Sequence, residues 1–313
     1  MRHILAFCFF YCSIVILSSA QDTKISGKIV DSRTEDVLPF ANIMVKGHTI
    51  GTSTDIHGDF ELLITDSLKQ DSIIVSFVGY YTKTLCVNDI VDNMIRLDPR
   101  VFEADEIVIT PSKGKRKPLV INPFKRKDCN VRYRPAASES GSWIPMRPEE
   151  PAIEAIYFPH LDKYGSYPII KEVWLQVTNY KNPPTFFNLR LYSGDTVLGP
   201  CNDLINEIIT VEVSESKQLV KINLESYGLV MPEKGLFVGF ELLIIKKNQT
   251  KIQDQDEKEL VLYSPYLNFL REEQKGSFWL YSGGKWHETT QETSHYFKKN
   301  VVLYYKPAVS LVL

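Results

Sequence analysis

Helical periodicity, long apolar runs, cysteine and an excess of either charge are all scarce in this chain of 313 residues. Thirty-six Lys and Arg against 38 Asp and Glu leave a net charge of −2. No bias toward nucleic acid or an anionic membrane surface is expected from that balance. Hydrophobic residues make up 44% and charged residues 24%, which excludes disordered, collagen-like and heptad-repeat chains. Beyond the first twenty residues no stretch approaches 18 uninterrupted apolar positions, so no transmembrane span is expected in the mature chain. Of the five cysteines, Cys8 and Cys12 lie in the apolar leader. Cys86, Cys129 and Cys201 show neither CxxC spacing nor a histidine at metal-ligand distance. They read as small buried hydrophobes, with at most one pair among them. The chain has no GxSxG elbow, Walker loop, GxGxxG turn or DxDxDG calcium loop. No histidine begins an HxxE, HExxH or HxH motif, so neither a metal nor a cofactor is expected.

The leader itself is informative. Arg2 supplies a positive start, Ile4 to Leu17 is an apolar run of 14 residues, and Ser18-Ser19-Ala20 provides the small residues of a cleavage site. A membrane anchor would need about 20 apolar residues. A lipid-modified cysteine normally follows a small residue, whereas Cys8 follows Phe7 and Cys12 follows Tyr11. Residues 1–20 are therefore read as a signal peptide with the mature chain starting at Gln21. Export to the periplasm, the outer-membrane surface or the medium follows.

Three stretches then differ in texture. Residues 21–98 alternate apolar and polar positions with period two: Ala41, Ile43 and Val45; Phe60, Leu62 and Ile64; Ile73, Val75 and Phe77. Turn signals at Gly47, Gly51, Asp55 to Gly58 and Gly79 separate them, which predicts a small antiparallel β-sandwich. Residues 99–151 hold eight of the 17 prolines and lose hydrophobic periodicity. Lys113 to Arg134 carries nine Lys and Arg against one acid, Asp128. This reads as an extended, solvated basic linker. Residues 152–313 return to strand patterning, with eight or nine strands expected, enough for a jelly-roll-like sandwich. Asn248 to Lys258 is polar and reads as a surface loop.

Six motifs in the first stretch stand in the order of one family: Ile25 to Asp31, Leu38-Pro39-Phe40-Ala41-Asn42-Ile43, Lys46-Gly47, Gly51-Thr52-Ser53-Thr54-Asp55, Gly58-Asp59-Phe60 and Phe77-Val78-Gly79-Tyr80. They resemble the carboxypeptidase-regulatory-like domain, a transthyretin- or Ig-like β-sandwich of Gram-negative envelope proteins. His48 departs from the family's usual threonine. The segment Asp105-Glu106-Ile107-Val108-Ile109-Thr110 is similar to the one that follows this domain in TonB-dependent receptors, where a plug and barrel would come next. This chain lacks the length for them. The resemblance implies an envelope location and structural, not catalytic, roles for the motif residues. Asp55 is expected to accept turn N–H groups, and Gly58 to take a positive φ. A metal or catalytic cluster of Asp55, His57 and Asp59 is disfavoured, because calcium loops need more oxygen ligands. The zinc peptidases that carry this domain need a ligand set absent here.

The second sandwich resembles only an uncharacterised partner domain, through Phe187 to Tyr192, Leu224 to Leu229 and Gly235 to Glu241. Its aromatic supply is its one suggestive feature. Trp279, Tyr281 and Trp286 flank the Gly283-Gly284 turn and are the candidate ligand-binding residues, by stacking on sugar faces. Buried core rings are the alternative. The expected protein is an all-β, exported, non-enzymatic binding module whose partner is an envelope protein or a glycan. A carbohydrate-binding accessory protein for glycan uptake and an undetected hydrolase are the other classes kept open. The hydrolase would need two carboxylates across a cleft.

Overall fold

The computed structural model describes residues 22–90, 93–100, 118–131, 151–165, 168–179, 184–253, 259–273, 277–290 and 304–313. The leader, its cleavage point and the Asp105 to Thr110 segment lie outside them. Within them the fold is all-β, interrupted only by short 3-10 turns.

The first sandwich has two sheets. One orders the strands Asp59–Thr65, Asp22–Asp31 and Met94–Leu97; the other orders Gly51–Ser53, Asn42–Val45, Ser72–Ser76 and Lys83–Cys86. Ile29, Ile43, Phe60, Leu62, Ile73, Val75 and Leu97 fill the space between them. One pairing departs from the antiparallel expectation, since Met94–Leu97 runs parallel to the first strand. Burial alternates along Asp59–Thr65, with Phe60, Leu62 and Ile64 inward and Asp59, Glu61 and Leu63 exposed. Asn42–Val45 does not alternate, because both of its faces are buried. Ile43 and Val45 serve the core, which leaves Asn42 and Met44 covered by something else.

Turn chemistry is local and satisfied. Asp55 Oδ1 accepts the His57 and Asp59 N–H groups at 2.8 and 3.1 Å, and Gly58 has φ 75°. A Cβ on Gly58 would stand 3.0 Å from the Ile29 carbonyl oxygen and from Val37 Cβ.

The second sandwich packs two seven-stranded sheets. In one, Leu236–Leu242 lies centrally between Thr185–Asp195 and Ala152–Phe158, which pairs on to Phe278–Ser282 and Lys285–Thr289. In the other, Glu172–Thr178 is flanked by Val309–Val312, Lys217–Asn223 and Tyr266–Glu272. Phe158, Phe187, Val238, Phe269 and Leu311 lie in the core between the sheets. Leu236, Val238, Phe240 and Leu242 point inward, so Phe237, Gly239 and Glu241 point to the outer face.

Two stretches read as loop or linker carry strands. Gln249–Gln253 pairs with Glu259–Tyr263 as a two-stranded ribbon. In the basic stretch, Val120–Ile121 adds to the edge of Val309–Val312, and Asn130–Val131 adds to Tyr266–Glu272. Cys129 is buried with Leu270 and Ala308, and the Lys217 ammonium bonds its carbonyl at 3.1 Å. Strands of two residues fall below the length at which alternation can be recognised. The cysteine reading needs a correction. All three thiols are free, and only Cys129 is buried; Cys86 is half-buried and Cys201 exposed.

Candidate functional site

The two sandwiches meet through the motif residues of the first. Asn42 donates its side-chain amide to Glu241 Oε1 at 2.6 Å and accepts the Ser53 hydroxyl at 3.2 Å. Glu241 is 1% exposed. It also accepts the Asn188 amide at 2.9 Å and pairs with Arg190 at 2.8 Å. Arg190 reaches on to Asp203 at 2.7 Å. Burial opposes the charge on Arg190, but the Glu241 and Asp203 carboxylates and the neighbouring Tyr192 together outweigh it, so the guanidinium stays protonated. Every strong donor in this node has an acceptor, the condition under which a buried ion pair is tolerated.

Around the node the backbones also touch. The Ser53 N–H bonds the Ile244 carbonyl at 3.3 Å, and the Ile244 N–H bonds the Ser53 hydroxyl at 3.1 Å. The Gly47 N–H bonds the Gly283 carbonyl at 3.4 Å. Ile74 packs so closely on Gly284 that a Cβ there would meet its Cδ1 at 2.3 Å. At Gly79 a Cβ would lie 2.5 Å from the Asn206 carbonyl oxygen. The Thr52 hydroxyl donates to the Ile244 carbonyl at 3.4 Å, so Asn42, Thr52, Ser53 and Gly79 belong to an interface as well as to their own domain. The sequence signal available for this is Met44, an apolar residue on the face opposite Ile43 and Val45, although nothing local names what covers it.

Beside this contact lies a cleft of about 910 Å³, within the range of small-ligand sites. Buried Ile244 and Ile245 and the rings of Phe40, Phe186 and Tyr263 line it. Phe40 has φ 65°, a strained conformation for a bulky side chain. Thr54 holds it there: its hydroxyl bonds the Leu38 carbonyl at 2.7 Å and the Ala41 N–H at 2.8 Å, and its carbonyl accepts the Phe40 N–H at 3.1 Å. Burial raises the pKa of the Tyr263 phenol, partly offset by its hydrogen bond with Gln249.

Charge at the cleft is split between its walls. The first sandwich contributes Asp55, Asp59 and Glu61 together with Lys24, and the second contributes Lys246 and Lys247. Lys24 bonds Glu61 at 2.6 Å and holds its carboxyl below the usual carboxylate range. Lys28 bonds Asp59 at 2.8 Å. A glycosidase-type pair needs one carboxyl across the cleft from the other, with one of them kept protonated. Here all three carboxylates belong to the first sandwich and are held by lysines or by backbone N–H groups, and Lys246 of the second sandwich lies 3.7 Å from Glu61. Among the described residues no group of three His, Cys, Asp or Glu side chains could hold a metal ion.

The three aromatics proposed from sequence do come together. Trp279 and Tyr281 lie on one face of Phe278–Ser282, and Trp286 pairs across from Tyr281 with ring centroids 5.2 Å apart. The Gly283-Gly284 turn between them has φ 56° and 84°, as a two-residue hairpin of primed type requires. The rings are half-buried, however, and engaged. Trp286 meets Tyr192 edge-on at 5.4 Å, and Trp279 meets Phe237 at 6.1 Å and covers Gly199. They share the outer face of the sheet that carries Glu241.

Comparison with known proteins fits the first sandwich. Residues 25–109 match the family described as the CarboxypepD_reg-like domain. Over 91 residues the chain is 38% identical to the TonB-dependent receptor SusC of Bacteroides thetaiotaomicron, a match covering 29% of this chain and 8% of that receptor. Two TonB-dependent receptors of Formosa agariphila, P26 and P3, are 31% and 30% identical over 119 and 90 residues. Those matches cover 36% and 29% of this chain and 11% and 9% of the receptors. The chain thus spans about a tenth of the length of these relatives. A structure of infectious bursal disease virus Gx strain overlaps 93% of this chain and 62% of its own at 9% identity, with a TM-score of 0.24, too low to bear on the fold.

Proposed function

With a CarboxypepD_reg-like domain at its front, we propose that this protein is an exported, non-catalytic binding module of the cell envelope, and that its ligand or partner enters the cleft between the sandwiches. The likeness to TonB-dependent receptors supports the envelope location and a non-catalytic role. The observation that carries the site is the cleft itself, which apolar side chains and charged groups of both sandwiches line beside the Asn42–Glu241 node. In this reading residues 1–20 are removed at Gln21. Residues 21–98 and 152–313 are the two domains, and residues 99–151 connect them while lending two strands to the second. Hydroxyl-radical labelling tests the proposal. Leu63 and Tyr263 should label more weakly on intact cells than in the purified mature protein. Equal labelling, or a cytoplasmic location on fractionation, contradicts it.

A carbohydrate-binding role in glycan uptake is the second reading. The observation favouring it is the single-face cluster of Trp279, Tyr281 and Trp286. Glycan-array binding by the intact protein, lost in Trp286→Ala, would support it.

A further inference from the structure

Resting on the cleft as the binding site, we propose its ligand class: a single-chain amphiphile with a carboxylate head. Charge pairing within the cleft gives the head. Glu61 is taken by Lys24 and by Lys246 at 3.7 Å, Asp59 by Lys28, and Asp55 by two backbone N–H groups. Among the described residues Lys247 is the lining charge that no acidic side chain approaches. An ammonium at the edge of an apolar cavity recognises an anion by a charge-assisted hydrogen bond.

Apolar surface gives the tail. The cleft lining includes buried Ile244 and Ile245, the rings of Phe40 and Phe186, and Ile56 and Leu63, which are 67% and 62% exposed. An apolar lining of this extent fits an alkyl chain, with the carboxylate placed at Lys247. Phe40 is the second observation. A phenylalanine kept at φ 65° by three bonds from Thr54 is strain retained at a cavity wall, where such outliers mark ligand clamps.

The test uses the full mature protein and two probes below their micellar concentrations, dodecanoate and its neutral analogue dodecanol. Their displacement of the fluorescent anion 8-anilino-1-naphthalenesulfonate is measured. Dodecanoate should bind more tightly than dodecanol. Lys247→Glu should weaken dodecanoate about tenfold and leave dodecanol unchanged. Phe40→Gly, which removes the ring and suits a positive φ, should weaken both probes without lowering the melting temperature. If Phe40→Gly weakens both probes but Lys247→Glu spares dodecanoate, the anionic head is wrong and the cleft stands. If Phe40→Gly alters neither, the cleft reading falls with it. Binding to phosphatidylglycerol vesicles without binding of free dodecanoate overturns the proposal in favour of a membrane surface.

Discussion

Asn42 of the first sandwich and Glu241 of the second are joined by a 2.6 Å hydrogen bond in a region sealed from solvent. The amide of Asn42 is one of three side-chain donors to that carboxylate. Removing it leaves an acceptor short of a partner in a low-dielectric site. Asn42→Ala should therefore cost about 1–3 kcal/mol. Glu241→Ala, which removes one of the two carboxylates paired with the buried Arg190, should cost about 3–5 kcal/mol. Chemical denaturation of the single and double variants checks both values. Strict additivity would mean that the two side chains do not act together.

A second prediction concerns the turn that opens Asp59–Thr65. Gly58→Val puts a branched residue at φ 75° and a Cβ 3.0 Å from the Ile29 carbonyl. It should destabilise the protein by about 1–3 kcal/mol. Asp55→Ala loses two side-chain acceptor bonds and should cost about 1 kcal/mol. If Asp55→Ala abolished ligand binding at unchanged stability, the turn would have a direct role in recognition.

Acid sensitivity should trace in part to Asp31. The Tyr80 hydroxyl at 2.7 Å and the backbone N–H groups of Arg33 and Thr34 hold its carboxyl below the usual range. A carboxyl depressed on folding stabilises the protein above its unfolded value, about 3.9. That contribution is lost as pH falls through the lower folded value. The same bond, with burial ahead of it, raises the Tyr80 phenol to about 12. Asp31→Asn should be less stable than wild type at pH 7, and the gap should narrow as pH drops below about 4. A gap constant from pH 7 to pH 2 would contradict this.

Much of the first sandwich was legible because its turns are local: Asp55 accepts the N–H groups of His57 and Asp59, and Gly58 donates to the Asp55 carbonyl. What those motifs do beyond the domain was not. The burial of both faces of Asn42–Val45 depends on Glu241, 199 residues away, and no periodicity within a strand encodes that distance. The short edge strands at Val120–Ile121 and Asn130–Val131 were hidden because proline and basic residues dominate their surroundings. The cleft escaped sequence reading altogether. Its aromatic wall draws on Phe40, Phe186 and Tyr263, three separate elements, whereas the adjacent Trp279, Tyr281 and Trp286 were conspicuous through a single hairpin.

Trp286 separates platform from packing. Its ring is half-buried against Tyr192 and Tyr281, so Trp286→Ala should cost about 2 kcal/mol, less than the ~3–5 kcal/mol of a fully enclosed aromatic. Melting temperature and glycan affinity measured on the same variant distinguish the roles. A large fall in stability makes the ring core, and lost glycan binding at small cost makes it a sugar platform.

The most direct test of the account is calorimetric unfolding of the mature protein beside Asn42→Asp. The cleft exists only while the sandwiches stay docked, so the mature protein should unfold in one cooperative transition. Asn42→Asp sets a second carboxylate against buried Glu241 and should split that transition into two, the lower one near the first sandwich's own stability. Two independent transitions already present in the unmodified protein, unchanged by Asn42→Asp, would contradict the account.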